Sequence, residues 1–447
     1  HTRIPAHAPG TPFGRPLFMI RRPSLAILFA ALTIAPASAD NWPQWRGPKN
    51  DGHSTEKGLP TQWSTEKNVL WKIAMPGRGS STPCVWEDNI FLTSMDGDAV
   101  VLMCIGTDGK VKWKKPLGSD AKGGYRRGGG EGEGDDASAS CSTDGKLVWA
   151  FAGTGKLACF DFAGKQIWEK DLRKYGKGSA FKIQFGIHWT PVLYKGRIYL
   201  QVMHRNAQRV VCLDALTGQD VWNVERPGYS RGESPDTYAS AFMWEGEGGP
   251  LFVAHGNDFC TGHKLDDGAE VWRVAGLNPV GGRQHEAWRF VASPLVTPRL
   301  IVVPSCKDGP VVGFNPVGAK GNINPENPAE MWRLKFTPDV VSPLLVDDIV
   351  YLMKDGPLYA IDARTGTTIY QKSLEAKQRV YRGNMVYADG KIYIVGVEGI
   401  GVVVEAGRKF KQLAANELKE KTYASPAISN GRIYIRTWGH LYCIGTK

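Results

Sequence analysis

Several features that mark common classes of enzyme and membrane protein are missing from this sequence. It holds no Gly-x-Ser-x-Gly nucleophile motif, no histidines at metal-ligand spacing and no two adjacent cysteines. Lys and Arg are interspersed with acidic residues and form no long basic run, which argues against a nucleic-acid partner. The sequence therefore gives no direct sign of a serine hydrolase, a metal enzyme or a DNA-binding protein.

The N-terminal residues differ in composition from the rest of the chain. Arg21 and Arg22 precede an apolar stretch at residues 25–34, which is too short to span a bilayer. Residues 37–39 read Ala-Ser-Ala, a small-residue site for signal cleavage. We therefore expect an exported mature chain that begins at Asp40 and is periplasmic or secreted. Without the four arginines of residues 1–39, the formal net charge falls from +11 to +7.

A repeating unit fills most of the remaining sequence. Each copy starts at a proline or a small residue, and then shows three strands, a glycine-containing turn and a fourth strand that usually carries Trp. The copies start 41 to 57 residues apart, a spacing suited to four-stranded blades. Their first residues are Pro83, Ser140, Pro191, Ala241, Pro294, Pro343, Met385 and Pro426. We predict an all-β fold, an eight-bladed β-propeller of four-stranded antiparallel blades.

The two ends of the sequence complete each other. The last copy stops at Lys447 before its fourth strand, whereas residues 68–72 form a strand with no hairpin partner ahead of it. We expect this N-terminal strand to join the C-terminal blade and close the ring. Large aromatic residues of the outer strands should lie across the next blade rather than bind a ligand. They are Trp71, Trp113, Trp168, Trp222, Trp272, Trp332 and Tyr370, and the copy that starts at Met385 offers only Phe410.

The sequence divides into three parts on this interpretation. Residues 1–39 are an upstream extension followed by the signal peptide, with the signal starting at Met19. Residues 40–67 are rich in Pro, Gly and Trp, which excludes a regular helix, and residues 68–447 form a single propeller. We expect the middle part to be an extended cap on one face of the ring, with Trp42 and Trp45 as plugs. An aromatic clamp for sugar is the alternative.

The eight cysteines follow the repeat. Cys104, Cys159, Cys212 and Cys443 take the same place in four different blades, so we expect small buried hydrophobic residues there. Two pairs lie at matching places in neighbouring blades, and each can form a disulfide if its Cα atoms come within about 7 Å. These pairs are Cys84 with Cys141 and Cys260 with Cys306.

The repeat resembles a known superfamily at residues 153–168, 211–222 and 358–366. It is similar to the repeat of pyrroloquinoline-quinone (PQQ) propellers, which include quinoprotein alcohol dehydrogenases and the propeller subunit of the outer-membrane β-barrel assembly machinery. The dehydrogenases imply a quinone between a Trp and a disulfide of adjacent cysteines, with Ca²⁺ and an Asp base. This sequence has no such cysteines and no matching Asp-Glu-Asn set. The assembly subunit implies a protein that binds partner chains without a cofactor, although this chain has no lipid-anchor cysteine after its signal.

Residues near the start of each blade should line the central channel. Ser and Thr at these positions are expected to pack where the inner strands crowd at the axis. Larger polar side chains there are candidates for ligand binding, and a water-filled channel and an anion or quinone pocket both fit them. The candidates are His188, Tyr238, Arg289, Arg382 and Asn384.

Three functions are compatible with these features. We expect a non-catalytic binding or scaffold propeller of the bacterial cell envelope, a monomer with protein or glycan partners and no membrane-spanning segment in the mature chain. The first alternative is a PQQ-dependent dehydrogenase with a divergent site, which would bind the quinone and Ca²⁺. The second is a carbohydrate-binding propeller, which requires Trp42, Trp45 or Trp189 to be exposed on a face.

Overall fold

Eight sheets, each built on four antiparallel strands, make up the computed structural model, which describes residues 40–121, 134–278, 288–354 and 356–446. The predicted signal peptide lies outside the described residues. Two short 3-10 helices, Leu172–Tyr175 and Lys177–Ser179, are the helical elements of the described residues. Among these residues, no helix combines the length and the apolar character needed to span a bilayer. The all-β, eight-bladed propeller is confirmed.

The first four blades follow the strand β1 (Val69–Ala74). Blade 1 contains β2 (Cys84–Trp86), β3 (Asn89–Asp96), β4 (Ala99–Gly106) and β5 (Val111–Gly118). Blade 2 contains β6 (Ser142–Thr143), β7 (Leu147–Phe151), β8 (Lys156–Asp161) and β9 (Gln166–Asp171). Blade 3 contains β10 (Val192–Tyr194), β11 (Arg197–His204), β12 (Ala207–Asp214) and β13 (Asp220–Glu225). Blade 4 contains β14 (Phe242–Trp244), β15 (Leu251–Gly256), β16 (Phe259–Lys264) and β17 (Glu270–Val274).

The other four blades complete the ring. Blade 5 contains β18 (Leu295–Val296), β19 (Ile301–Val303), β20 (Val311–Phe314) and β22 (Glu330–Leu334), and its β21 (Gly321–Ile323) pairs in parallel with the outer strand of blade 4. Blade 6 contains β23 (Leu344–Val346), β24 (Ile349–Met353), β25 (Pro357–Asp362) and β26 (Thr368–Ser373). Blade 7 contains β27 (Val386–Ala388), β28 (Lys391–Val395), β29 (Ile400–Glu405) and β30 (Gln412–Glu417). Blade 8 contains β31 (Ala427–Ser429), β32 (Arg432–Arg436) and β33 (His440–Ile444), with β1 as its outer strand.

The N-terminal strand closes the ring as predicted. β1 pairs antiparallel with β33, and Trp71 lies opposite Cys443. The two ends of the propeller therefore share one sheet, which leaves no unpaired strand at the point of closure.

Outer-strand tryptophans join five of the eight blades to the next. The indole N–H donates to a turn carbonyl of the following blade at 2.7 to 2.9 Å in five cases, namely Trp71, Trp113, Trp168, Trp222 and Trp332. The indole face packs on a glycine of the same turn, for example Trp168 on Gly218, where φ is +69° and an added Cβ would stand 2.7 Å from the ring. The Gly–Trp spacing of the repeat therefore encodes the contact between blades.

A ring of hydrogen bonds joins the inner ends of all eight blades. In each blade, the residue just before the inner strand accepts a backbone N–H from its equivalent in the neighbouring blade, at 2.7 to 3.2 Å. The eight residues, called the axial ring below, are Thr82, Ser140, Thr190, Ser240, Ser293, Ser342, Asn384 and Ser425. The Ser and Thr expected to pack here are buried, and their hydroxyl oxygens also accept backbone N–H groups that the strand ladders leave unpaired.

The axial ring also corrects the alignment of blade 2. Ser140 is the equivalent of Thr82, so the blade starts at Cys141, one residue later than the sequence pattern suggested. Cys84 accordingly matches Ser142 rather than Cys141. All eight cysteines are buried and unbridged.

Blade 7 lacks an aromatic residue on its outer strand, and Trp63 fills the gap. Trp63 is 4 % exposed, stacks against Tyr393 and covers Gly401. Its backbone N–H donates to the side-chain oxygen of Asn416 on β30 at 2.8 Å. A residue that precedes the propeller in sequence therefore packs against the strands of blade 7.

Candidate functional site: the central channel

A cavity of about 430 Å³ lies on the axis of the ring. Seven residues of the axial ring line it. A second tier lies two positions earlier in each blade, and every one of its members also lines the cavity. This mouth tier consists of Ser80, Ser138, His188, Tyr238, Val291, Val340, Arg382 and Tyr423. The chemistry of the mouth is therefore set by one residue per blade.

The five residues singled out from the sequence all line this cavity. His188, Tyr238 and Arg382 belong to the mouth tier, and Asn384 belongs to the axial ring. Arg289 lies further out, where it pairs with Glu233 at 3.0 Å and sits over the ring of Phe185. The structure thus brings the five together, and it gives Asn384 a structural bond that the sequence did not reveal.

His188 and Tyr238 form one wall of the mouth. The Nε2 atom of His188 lies 2.6 Å from the carbonyl oxygen of Phe185. The rings of His188 and Tyr238 meet edge to face, with their centroids 5.5 Å apart. The Tyr238 hydroxyl accepts the backbone N–H of Phe185. Burial raises the pKa of Tyr238 well above its ordinary value, with the charge of Asp236 adding to the effect. The phenol is therefore a neutral hydrogen-bonding group at physiological pH.

The eightfold arrangement places each blade opposite the blade four positions further around the ring. His188 of blade 3 faces Arg382 of blade 7, and Tyr238 of blade 4 faces Tyr423 of blade 8. Val291 and Val340 give the mouth an apolar side between Tyr238 and Arg382. The mouth therefore offers the guanidinium donors of Arg382 at one point, the imidazole of His188 opposite them, and aromatic rings at two other points. This arrangement suits a ligand with acceptor oxygens and an apolar body.

The segment at residues 40–63, called the strap below, crosses the face of the ring that carries the turns after the inner strands. Trp42 is fully buried and forms a bridge with Val85 of blade 1. Trp45 contacts Phe242 of blade 4 and lines the cavity. Gly52 and Ser54 exchange backbone hydrogen bonds with Tyr387 of blade 7. The strap thus supplies Trp45 as the floor of the cavity, while the mouth tier lies at the opposite, open face.

Arg46 anchors the strap at the axis. Its guanidinium is buried, donates to the carbonyl of Pro343 at 2.8 Å and to that of Asp51 at 3.2 Å, and lies over the ring of Phe242. Burial lowers the pKa of Arg46 to about 10, partly offset by the charge of Asp51. The side chain therefore stays cationic at physiological pH and is held by carbonyl dipoles.

The residues of the cavity do not fit a quinone bound through Ca²⁺. Asp339 is the single carboxylate among the described residues that line it. The side-chain oxygen of Asn384 already accepts the N–H of Ser342. Calcium takes six to eight oxygen ligands, usually several of them carboxylates. Nor do three His, Cys, Asp or Glu side chains gather at a metal-binding distance in the described parts of the chain.

A sugar clamp finds little support in the tryptophans proposed for it. Trp42 and Trp189 are 0 % and 1 % exposed, and Trp189 stacks on Phe151 inside the propeller. Trp45 alone is half-buried, and it lines the cavity. A flat aromatic platform on the outer face is therefore not formed by these three residues.

Sequence reasoning missed much of the mouth tier. Ser138, Val291 and Val340 carry no signal in their residue type, and Phe185 and Asp339 lie on loops outside the repeat. The members of the mouth tier could have been found by their register. Each of them stands two residues before the axial-ring residue of its blade, so in an extended chain the two side chains point to the same side. An alignment of the eight blade starts at that offset would have found it.

Comparison with known proteins agrees with this architecture. The sequence model of the family described as "Outer membrane protein assembly factor BamB" matches residues 107–246 and 206–447. No curated protein matches the sequence. The solved structure of BamB from Moraxella catarrhalis is 15 % identical, with a TM-score of 0.59 over 85 % of this chain and 97 % of that one.

Solved dehydrogenases share the same fold. A europium-containing methanol dehydrogenase is 11 % identical, with a TM-score of 0.66 over 91 % of this chain and 98 % of that one. The quinohemoprotein alcohol dehydrogenase from Comamonas testosteroni is 14 % identical, with a TM-score of 0.63 over 91 % of this chain and 81 % of that one. Fold and repeat define a PQQ-type repeat propeller. The chain belongs to the BamB family, whose model covers well over half of its length.

Proposed function

We propose that this protein is an exported, non-catalytic binding propeller of the bacterial cell envelope, which holds partner protein chains. The observation that carries the proposal is its membership of a family described as an outer-membrane protein assembly factor. The donor set of the channel supports it, since one carboxylate is too few for the metal-assisted quinone chemistry of the related dehydrogenases.

The open face is the surface that we assign to the partner. The strap occupies the other face, whereas the loop at residues 172–188 lies beside the cavity mouth. This loop carries four exposed basic residues, Arg173, Lys174, Lys177 and Lys182, and no acidic residue. Arg173 is paired with Asp171, which precedes the loop, so the three lysines supply its net positive charge. Its charge favours an acidic segment of the partner, and electrostatic attraction of this kind raises the rate of association.

Site-specific photocrosslinking in cells tests this assignment. A photoreactive residue in place of Lys182 on the open face should give a discrete adduct with an envelope protein. The same residue in place of Lys49, an exposed lysine of the strap, is the matched control and should not give that adduct. Charge reversal at Lys174 and Lys177 should weaken the adduct. Identical adducts from both positions, or a cytoplasmic location in fractionated cells, would contradict the proposal.

A PQQ-dependent dehydrogenase is the second candidate, and one observation favours it. His188, Arg289 and Arg382 converge on one cavity with a carboxylate, Asp339, beside them. Titration of residues 40–447 with PQQ and Ca²⁺ separates the two functions. Saturable one-to-one binding, a raised melting temperature and dye reduction with an alcohol would make the dehydrogenase the better interpretation. A ligand at 100 times its Kd stabilises by about 2.7 kcal/mol, so binding in the micromolar range would be visible.

A further inference from the structure

The N-terminal end of the strap is tied to blade 8 through one carboxylate. The backbone nitrogen of Asp40 donates to Oε1 of Glu56 at 2.9 Å. The other oxygen, Oε2, accepts the backbone N–H of Gly431 at 2.9 Å, in the turn between β31 and β32. Glu56 thus bridges the start of the strap and a hairpin of the ring.

A second set of bonds fixes Asp40 in this place. Its side-chain Oδ2 accepts the backbone N–H of Thr55 at 3.0 Å and the Thr55 hydroxyl at 3.1 Å. The backbone of Asp40 is therefore bonded to Glu56 and its side chain to Thr55, and together these bonds hold the backbone nitrogen of Asp40 beside Glu56. This nitrogen is also the atom that cleavage after the Ala-Ser-Ala sequence of residues 37–39 would set free.

We propose that cleavage between residues 39 and 40 creates an α-ammonium on Asp40 that pairs with Glu56 and latches the strap to blade 8. The inference rests on the export that the proposed function includes. Residue 40 is then a processing site whose cleavage changes a contact within the folded protein. The nitrogen of Asp40 is a neutral amide with one proton before cleavage and a cation with three protons afterwards.

The chemistry of the step is a hydrolysis. A signal peptidase adds water across the amide, so the C–N bond breaks, the hydroxyl goes to the carbonyl carbon of residue 39 and a proton goes to the nitrogen of Asp40. The free amine, with an ordinary pKa near 8, takes a further proton from solvent at neutral pH. A charged donor on a carboxylate is a stronger hydrogen bond than a neutral amide on the same carboxylate. The latch is therefore weaker in the uncleaved chain.

The latch acts on the element that forms the floor of the cavity. The strap runs from Asp40 past Trp45 to the contacts of Gly52 and Ser54 with blade 7. Fixing its first residue to blade 8 closes the strap into a loop anchored on both sides of the axis. Cleavage would thereby reduce the frequency with which the N-terminal end of the strap detaches from blade 8.

Hydrogen exchange on two purified chains tests the latch. One chain begins at Asp40 and the other carries one additional residue, Ala39, which moves the ammonium away from Glu56. We expect the Gly431 amide to exchange about two- to fivefold more slowly in the chain that begins at Asp40, the range given by a partly exposed ion pair. Glu56→Gln should abolish the difference, and Glu66→Gln, at an exposed glutamate three residues beyond the strap, should preserve it.

The outcomes separate the latch from the proposed function. Equal exchange in the two chains, or a difference that survives Glu56→Gln, would overturn the latch and leave the binding proposal standing. The mass of the N-terminal peptide from the envelope fraction provides the second measurement. A mature chain that starts elsewhere than Asp40 would overturn only the latch, whereas a protein retained uncleaved in the cytoplasm would overturn both.

Discussion

The side-chain oxygen of Asn384 accepts the backbone N–H of Ser342 at 2.7 Å, in the position where the other seven blades present a serine or threonine hydroxyl. The backbone N–H of Asn384 in turn donates to Ser425 at 2.8 Å. The residue that stood out in the sequence as a ligand candidate is therefore a link of the axial ring. The amide serves because, like a hydroxyl, it offers an acceptor oxygen on a short side chain.

The axial ring should be sensitive to the loss of one acceptor. Asn384→Ala leaves the buried N–H of Ser342 without a partner, and we expect the free energy of unfolding to fall by about 1–3 kcal/mol. Asn384→Ser keeps an acceptor and should recover part of the loss. Urea unfolding followed by tryptophan fluorescence measures both variants. An alanine variant as stable as the parent would show that water replaces the bond at no cost.

The contact between blades 2 and 3 can be tested at one glycine. Gly218 and Gly196 are both in turns of blade 3 with φ near +70°, but an added Cβ meets Trp168 at 2.7 Å in the first case and no atom within 4 Å in the second. Gly196→Ala should cost only the left-handed backbone, about 1–2 kcal/mol. Gly218→Ala should cost about 1–3 kcal/mol more, from overpacking against the indole.

Thermal unfolding of the two variants measures this difference, since the backbone strain is common to both. Equal destabilisation would mean that the indole moves aside freely, and the Trp–Gly contact would then not set the spacing between these blades.

Trp63 should behave as part of the propeller core although it lies before the first strand. Trp63→Ala removes a side chain that is 4 % exposed and packed on Tyr393 and Gly401, and we expect a loss of about 3–5 kcal/mol. Trp63→Phe should lose less, because it keeps the ring stacking. Calorimetry on both variants provides the measurement. A loss below about 1 kcal/mol for alanine would mean that the blade surface collapses over the gap.

Buried histidines should make the protein acid-sensitive. Burial lowers the pKa of His204 to about 4, of His255 to about 3 and of His263 to about 4, with nearby arginines contributing in each case. Each is neutral in the folded state and binds a proton on unfolding below about pH 6.5. The unfolded state then holds more protons, so the free energy of unfolding falls as the pH drops from 6.5, by up to about 1.4 kcal/mol per pH unit for each group.

His255 gives the clearest test of this dependence. Its side chain is fully buried, its ring lies 4.9 Å from that of Phe290, and the backbone of Pro304 is a polar group beside it. His255→Phe should flatten the stability profile between pH 6.5 and 5, measured by denaturant titration at each pH. His440→Gln, at a half-exposed site, is the control. An unchanged slope in His255→Phe would indicate that water or another group already solvates the imidazole.

Two features could not be predicted from the sequence, namely the contacts of the strap with distant blades and the exact first residue of blade 2. Local turn chemistry gave the blade count, but a one-residue error in a strand start is invisible until the axial ring fixes the register of all eight blades together. The bond between Arg46 and Pro343 joins residues 297 apart in sequence. No periodicity predicts such a contact, because the strap is not part of the repeat.

The sequence by itself determined the number of blades, the closure of the ring and the tryptophans that join the blades, because these depend on patterns that recur within each copy. It also indicated five of the residues that line the channel. The tertiary structure alone decided that Asn384 belongs to a hydrogen-bonded ring, that Trp63 completes a distant blade and that Glu56 holds Asp40 against blade 8. Each of these depends on distances between residues remote in the chain, which only the closed ring brings together.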